Sequence, residues 1–165
     1  MIVCVGENGE IGKDGKLVFF PNGDMKRFKK LTTENIVVMG RKTWESIPEK
    51  FRPLPERINI VMSRNKINLP EGVLLAHSIV EVLKKIKWIL SNVDSEMEVF
   101  CMGGEEIYRL FMPYATKLYM TEVKMDAKAD AFFPEFNKKE WKETFREDHF
   151  GDEYNYSFVE YEKKN

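Results

Sequence analysis

Ile36-Val37-Val38-Met39-Gly40-Arg41-Lys42-Thr43-Trp44-Glu45-Ser46-Ile47 is the stretch on which the fold turns. Four consecutive apolar residues suit a central strand covered on both faces. Gly40-Arg41-Lys42-Thr43 then turns that strand into a short helix running through Trp44 and Ile47. The same grammar recurs at Val99-Phe100-Cys101-Met102, which runs into Gly103-Gly104 and a helix through Ile107 and Phe111, ended by Pro113. Working outward, Met1 to Val5, Ile58 to Met62 and Val73 to Ala76 read as further strands. Ser78-Ile79-Val80-Glu81 is a capping box, and the helix it opens is expected to bury Ile79, Val82, Leu83, Ile86 and Leu90. Pro21-Asn22-Gly23-Asp24 leads into a helix with Met25, Phe28 and Leu31 on one side and Lys26, Arg27, Lys29 and Lys30 on a solvated face. Here Asp24 is the N-cap or a first-turn acid. From Lys117 the pattern changes to a long strand. Trp141 to Phe150 and Tyr156 to Glu162 then form an antiparallel hairpin across a turn near Gly151-Asp152. These readings add up to an α/β chain whose sheet is mostly parallel early and antiparallel at its end, with helices on both faces.

The 165 residues suit one domain, or two lobes sharing a core. An apolar fraction of 43% excludes low-complexity disorder. A net charge of −1 provides no global attraction to nucleic acid or to anionic lipid, so an anionic ligand needs a local basic cluster. Cys4 and Cys101 sit in apolar runs with no paired spacing, and His77 and His149 are the only histidines. Neither a disulfide framework nor a transition-metal site is implied. The apolar start is too short for a signal segment and no run is long enough to span a bilayer, so a cytoplasmic protein is expected.

Four local features could carry chemistry. Gly40-Arg41-Lys42-Thr43 combines two cations, a hydroxyl and turn N–H groups, as a phosphate site does, and equally as an ordinary strand-to-helix turn does. Gly103-Gly104 lets backbone approach a ligand or a neighbouring element closely. Asp24, beside Phe19, Phe20, Met25 and Phe28, is either a helix cap or a carboxylate of raised pKa in an apolar pocket. Arg57 follows the stiff Arg52-Pro53-Leu54-Pro55 loop, either as a surface arginine or as a bidentate carboxylate partner. Two such glycine turns in one small sheet favour a single long ligand across the strand ends.

In order and spacing these motifs resemble dihydrofolate reductase over nearly the whole chain. They are Ile11-Gly12 through Leu17, Asp24 with Phe28, Val38 through Ile47, Arg52-Pro53-Leu54 with Arg57, Asn59, Ser63-Arg64, Met102-Gly103-Gly104 with Ile107-Tyr108, Leu118-Tyr119 with Thr121, and Asp130 with Phe133-Pro134. The Ile47 to Arg52 segment is similar to the longer loop of animal members.

The resemblance implies a three-layer fold, a central eight-stranded mixed sheet flanked by four helices. It implies one domain over residues 1–165, with an adenosine-binding lobe at roughly 36–100. NADPH is the implied cofactor, extended past Arg41, Lys42, Thr43, Ser63, Arg64 and Ser78 at its 2′-phosphate and adenine. Gly103, Gly104, Glu105, Glu106 and Ile107 would follow at the pyrophosphate and nicotinamide, with Cys4, Ile11 and Gly12 bordering the nicotinamide ring and Gly40 also against the cofactor. A cis Gly103–Gly104 peptide is implied too. Dihydrofolate, or an antifolate inhibitor, would lie among Ile2, Cys4, Asp24, Met25, Phe28, Ile47, Leu54, Met102, Tyr108 and Thr121, with Arg57 on the glutamate tail. Asp24 would grip the pteridine, Thr121 would support it, and a loop carrying Leu17 and Phe19 would close over the rings. Val18-Phe19 stands where the family has Pro-Trp, and Glu105 replaces a third glycine.

The implied reaction is hydride transfer to C6 of dihydrofolate with protonation at N5, supplying tetrahydrofolate for one-carbon metabolism. A monomer needing no nucleic acid or membrane is expected, with NADPH preferred over NADH through Arg41, Lys42 and Arg64. Two rivals stand beside it. A reductase of a riboflavin-pathway pyrimidine would not need Asp24 with Arg57, and a folate- or nucleotide-binding module would have lost turnover.

Overall fold

The structure is a computed structural model describing residues 1–94, 96–151 and 153–164. Its elements in chain order are β1 (Ile2–Val5), β2 (Glu10–Lys13), β3 (Lys16–Leu17), α1 (Asp24–Thr32), β4 (Ile36–Gly40), α2 (Arg41–Ser46), β5 (Ile58–Met62), β6 (Leu74–Ala76), α3 (Ile79–Leu90), β7 (Val99–Cys101), α4 (Glu105–Phe111), β8 (Lys117–Val123), β9 (Ala131–Phe132), β10 (Trp141–Phe150) and β11 (Asn155–Lys163). Short 3-10 turns precede β5, follow α4 and precede β10.

All five residues of β4 are buried, as its unbroken apolar run requires. It lies between parallel neighbours in the order β6-β5-β4-β7. A second block, β1-β8-β11-β10, pairs β1 parallel to β8 and then turns antiparallel. The expected eight strands are therefore two four-stranded blocks, and no ladder among the described residues joins β1 to β7. Side chains make the join instead. Ile36 and Val38 of β4 share one apolar cluster with Val3, Val5, Leu118 and Met120. Val37 and Met39, pointing the other way by strand alternation, share another with Ile2, Phe100 and Tyr119. The rings of Phe100 and Tyr119 sit 5.5 Å apart across the junction.

Several expectations are corrected. The glycine-punctuated segment after β1 is not all loop, because β2 pairs with β3 and β9 in a small third sheet. Glycine spacing hid this short hairpin. Of the two roles open to Asp24 the structure takes the first-turn acid, with Gly23 as the N-cap of α1 at φ 89°. In α3 the inward positions are Val82 and Ile89, while Leu90 is exposed, since 82, 86 and 89 share one stripe. Its Ser78 cap accepts from Glu81 N, but the Glu81 carboxylate reaches back to His77 N, one residue earlier than a capping box predicts. Arg27 leaves the solvated face assigned to it, with a side chain only 13% exposed. The β10–β11 turn holds Gly151, whose N–H donates to Tyr154 O, while Asp152 lies outside the described residues. As an edge strand, β10 buries only Trp141 and carries a register shift between Glu143 and Phe145.

Because Phe100 is 2% exposed and bridges the two blocks, Phe100→Ala should destabilise the protein by about 3–5 kcal/mol, measured by urea unfolding.

Candidate active site

Asp24 enters the first turn of α1 facing β8, where the Thr121 hydroxyl donates to Oδ1 at 2.6 Å. Cys4 is the register partner of Thr121 on β1, so the acid, the hydroxyl and the thiol form one patch. Burial raises the Asp24 pKa, and the Thr121 bond and the Arg27 cation offset part of that rise. Burial, with Asp24 alongside, pushes the Cys4 thiol up, so it is an inert neutral wall. Among the described residues no donor is set against Asp24 Oδ2. The arrangement is a carboxylate with one oxygen held and one free for a ligand donor.

Ile2, Phe28, Ile47, Leu54 and Met102, five of the residues expected around a flat heterocycle, belong to a single apolar cluster. Met25 is 62% exposed beside Asp24. Tyr108 is buried, donates to Ile2 O at 2.8 Å, and is held far from ionisation by burial, so it shapes the wall and moves no proton. The Leu54 loop is braced by Asn59, whose amide pairs both ways with Leu54 backbone at 3.0 and 2.9 Å. Arg57 stands 5.8 Å from the Phe28 ring centroid. Its guanidinium donates to Thr32 Oγ1, Pro55 O and Thr33 Oγ1, and it has no salt bridge among the described residues.

The strand register gathers the residues expected at a dinucleotide. Gly40, Met62 and Ala76 pair across β4, β5 and β6, so Arg41 to Thr43, Ser63-Arg64 and Ser78 follow neighbouring strand ends. At the next strand Gly40 N–H donates to Gly103 O at 2.7 Å. All these residues lie along the carboxyl ends of parallel strands, where open α/β sheets bind ligands. Gly103 has φ 95°, and a Cβ there would lie 2.6 Å from Tyr108 Cε2. At Gly40 a Cβ would meet Ile107 Cγ1 at 2.9 Å, so that glycine lets α4 pack close. The Gly103–Gly104 peptide is cis, as the resemblance implied.

Several candidates already have internal partners. Arg41 forms a 2.8 Å ion pair with Glu45. Glu105 binds Arg109 and accepts from Phe132 N, while Glu106 is exposed. Ser63 Oγ accepts from Asn65 N. Lys42 and Arg64 are exposed, Thr43 is half-buried, and Ile11 and Ile107 are buried in the core.

Loop residues 17–23 are pinned from two sides. At the base, Asp130 accepts from Asp14 N at 2.9 Å and donates its own N–H to Gly12 O at 3.0 Å. Leu17 is 49% exposed at the end of β3. Phe19, the residue at the usual tryptophan position, is 3% exposed among Val123, Tyr156 and Phe158, with Tyr154 edge-on at 5.9 Å. Phe20 is exposed. Tyr156 donates to the Asn22 carbonyl just before Asp24. Sequence reading missed Tyr156 and Arg27. No local signal marks the first, but the second lies three residues after Asp24, on the same side of a helix.

The family model described as "Dihydrofolate reductase" matches residues 1–163. The chain is 38% identical to dihydrofolate reductase of Bacillus subtilis (strain 168), over 99% of this chain and 94% of that protein. It is 40% identical to that of Rattus norvegicus, over 86% of this chain and 81% of the relative. A solved dihydrofolate reductase from Enterococcus faecalis, complexed with NADP(H) and RAB-propyl, superposes with a TM-score of 0.85 at 32% identity, covering 99% of this chain and 95% of that one. By the match over nearly its whole length, the chain belongs to the dihydrofolate reductase family.

Proposed function

We propose that this chain reduces 7,8-dihydrofolate through Asp24, with Thr121 as its support and NADPH laid along the carboxyl ends of β7, β4, β5 and β6. The observation that carries the reading is the Asp24 carboxylate, fastened through one oxygen at the mouth of an apolar wall of Ile2, Phe28, Ile47, Leu54 and Met102. The family relationship and the Enterococcus faecalis complex with NADP(H) support the choice of reaction and cofactor. The glycine gap at Gly103–Gly104 and the cations Arg41, Lys42 and Arg64 suit a dinucleotide with a 2′-phosphate. Tight side-chain packing lets the two blocks act as one eight-stranded platform, with residues 36–100 as its adenosine side. No helix among the described residues is long and apolar enough to cross a membrane.

When bound, NADPH supplies the hydride that adds to C6 of the substrate N5=C6 bond while N5 takes a proton. Asp24 accepts hydrogen bonds from the pteridine amide and amino groups at the opposite edge of the ring, which orients it and raises electron density toward N5. A carboxylate at that edge would not touch N5, so water would deliver the proton. The apolar wall, with Cys4 and Tyr108, excludes other water, and Arg57 holds the substrate carboxylate. Most of the acceleration then comes from fixing two rings at contact distance. Loop residues Leu17 and Phe19 govern water entry.

Purified protein should oxidise NADPH only when dihydrofolate is added; no dihydrofolate-dependent oxidation would defeat the reading. Asp24→Asn should lower kcat/KM by about a hundredfold or more. The same variant should be more stable near neutral pH. A buried carboxylate whose pKa rises on folding binds more protons in the folded than in the unfolded state as pH climbs from the ordinary aspartate value of 3.8 to its raised value. Stability therefore falls across that window and stays lowered above it. The gain of Asp24→Asn should shrink to nothing in acid, followed as Tm against pH.

NADH should be used at least about tenfold less efficiently than NADPH, one charge-assisted phosphate contact accounting for about that factor. Equal efficiencies would remove the cationic cluster from cofactor selection.

A further inference from the structure

Arg27 is the cation that the fold withdraws from its basic run. Lys26, Lys29 and Lys30 on the same helix stay exposed. Arg27 Nη2 lies 3.3 Å from Glu160 Oε1, and Nη1 donates to Met120 O at 3.4 Å. Its guanidinium carbon stands 4.7 Å from the Phe158 ring centroid and 5.9 Å from that of Tyr119. Every one of these contacts belongs to the strand pair that carries the Asp24 support. Met120 precedes Thr121, Phe158 is the register partner of Thr121, and Glu160 is the partner of Tyr119. A half-buried cation is costly to desolvate, and an apolar side chain could fill a slot walled by two aromatic rings. The charge therefore calls for a reason beyond packing.

The groups facing Asp24 supply one. From β1 comes the neutral Cys4 thiol, from β8 the Thr121 hydroxyl, from α4 the neutral Tyr108 and from β11 the neutral Tyr156. From α1 itself comes Arg27, the one cation in that set. Behind it stand Glu160 and Lys117, paired at 3.0 Å, with Glu162 at 3.6 Å from Lys117. An apolar cleft favours the protonated acid, whereas acceptance of two donors from a heterocycle needs the carboxylate.

We propose that Arg27 is a positioning residue for Asp24: one turn further along α1 and clamped between Glu160 and the Met120 carbonyl, it keeps the neighbouring carboxylate charged. The proposal rests on Asp24 being the acid that grips the substrate ring. Its signature is electrostatic and has a sign. Removing the Arg27 charge makes Asp24 harder to ionise, and removing the Glu160 counter-charge makes it easier.

The test is a carbon-13 titration of aspartate side-chain carboxyls in the whole protein without ligand, with the Asp24 signal assigned by its loss in Asp24→Asn. In Arg27→Met the Asp24 midpoint should rise by about half a unit to one unit. In Arg27→Lys it should stay near the parent value, and in Glu160→Gln it should fall. The pH profile of kcat/KM for dihydrofolate should move with the midpoint, and KM should rise in Arg27→Met and recover in Arg27→Lys. An Asp24 midpoint that is unmoved, or that moves the same way in Arg27→Met and Glu160→Gln, overturns the proposal. Should Arg27→Met fail to fold, Glu160→Gln against the parent decides. The titration needs no turnover, so an absent dihydrofolate activity would count against the substrate assignment and not against this coupling.

Discussion

The hydroxyl of Thr121 on Asp24 Oδ1 is the bond around which the cleft is organised. It ties the first turn of a helix to the middle of a buried strand, and it spends only one of the two carboxylate oxygens. A carboxylate among apolar side chains pays a desolvation penalty that a solvated one does not. Only fixed partners on more than one side can keep it ionised and aimed. Thr121 from β8 holds it directly, the Tyr156 anchor on the Asn22 carbonyl fixes the chain before it, and the Arg27 cation favours its charged form from one turn further along α1. Thr121 and Tyr156 come from distant parts of the chain, so the acid is placed by tertiary structure and not by its helix alone.

The parallel strands solve a different problem. Side by side, β6, β5, β4 and β7 end along one line, and each is followed by residues suited to an anion or to a close backbone approach. Gly40 and Gly103 touch through a backbone bond, while the lack of a Cβ at each admits Ile107 and Tyr108. Tyr108 in turn holds Ile2 of β1. Through that chain of contacts the glycine corner and the strand bearing Cys4 are positioned relative to each other, although no ladder among the described residues joins their two blocks. A shift at one glycine would be felt at the other side of the cleft.

What could be read in the amino-acid order was whatever repeats at short range. The β4 run, the Ser78 cap and the long β10–β11 hairpin follow from burial period, a local hydrogen bond and alternation. Asp24 and the two glycine turns stood out because their residue types are unusual in their local setting. Long-range choices stayed hidden. The β2–β3–β9 sheet depends on Ala131-Phe132 returning beside Glu10 and Gly12, which no short window contains. Arg27 looks like its lysine neighbours until β8 and β11 close over it. The split between β1 and β7 is likewise invisible in a pattern that reports only which face of a strand is apolar.

The outermost strand of the second block has a consequence for life in a crowded solution. Lys142, Glu143, Arg146, Glu147 and Asp148 load β10 with charges of both signs, and the register shift after Glu143 breaks the regular line of its free backbone groups. A second chain trying to add itself there would have to bury unmatched charges on a kinked ribbon. The long terminal hairpin can therefore present an unpaired border without becoming a template for polymerisation.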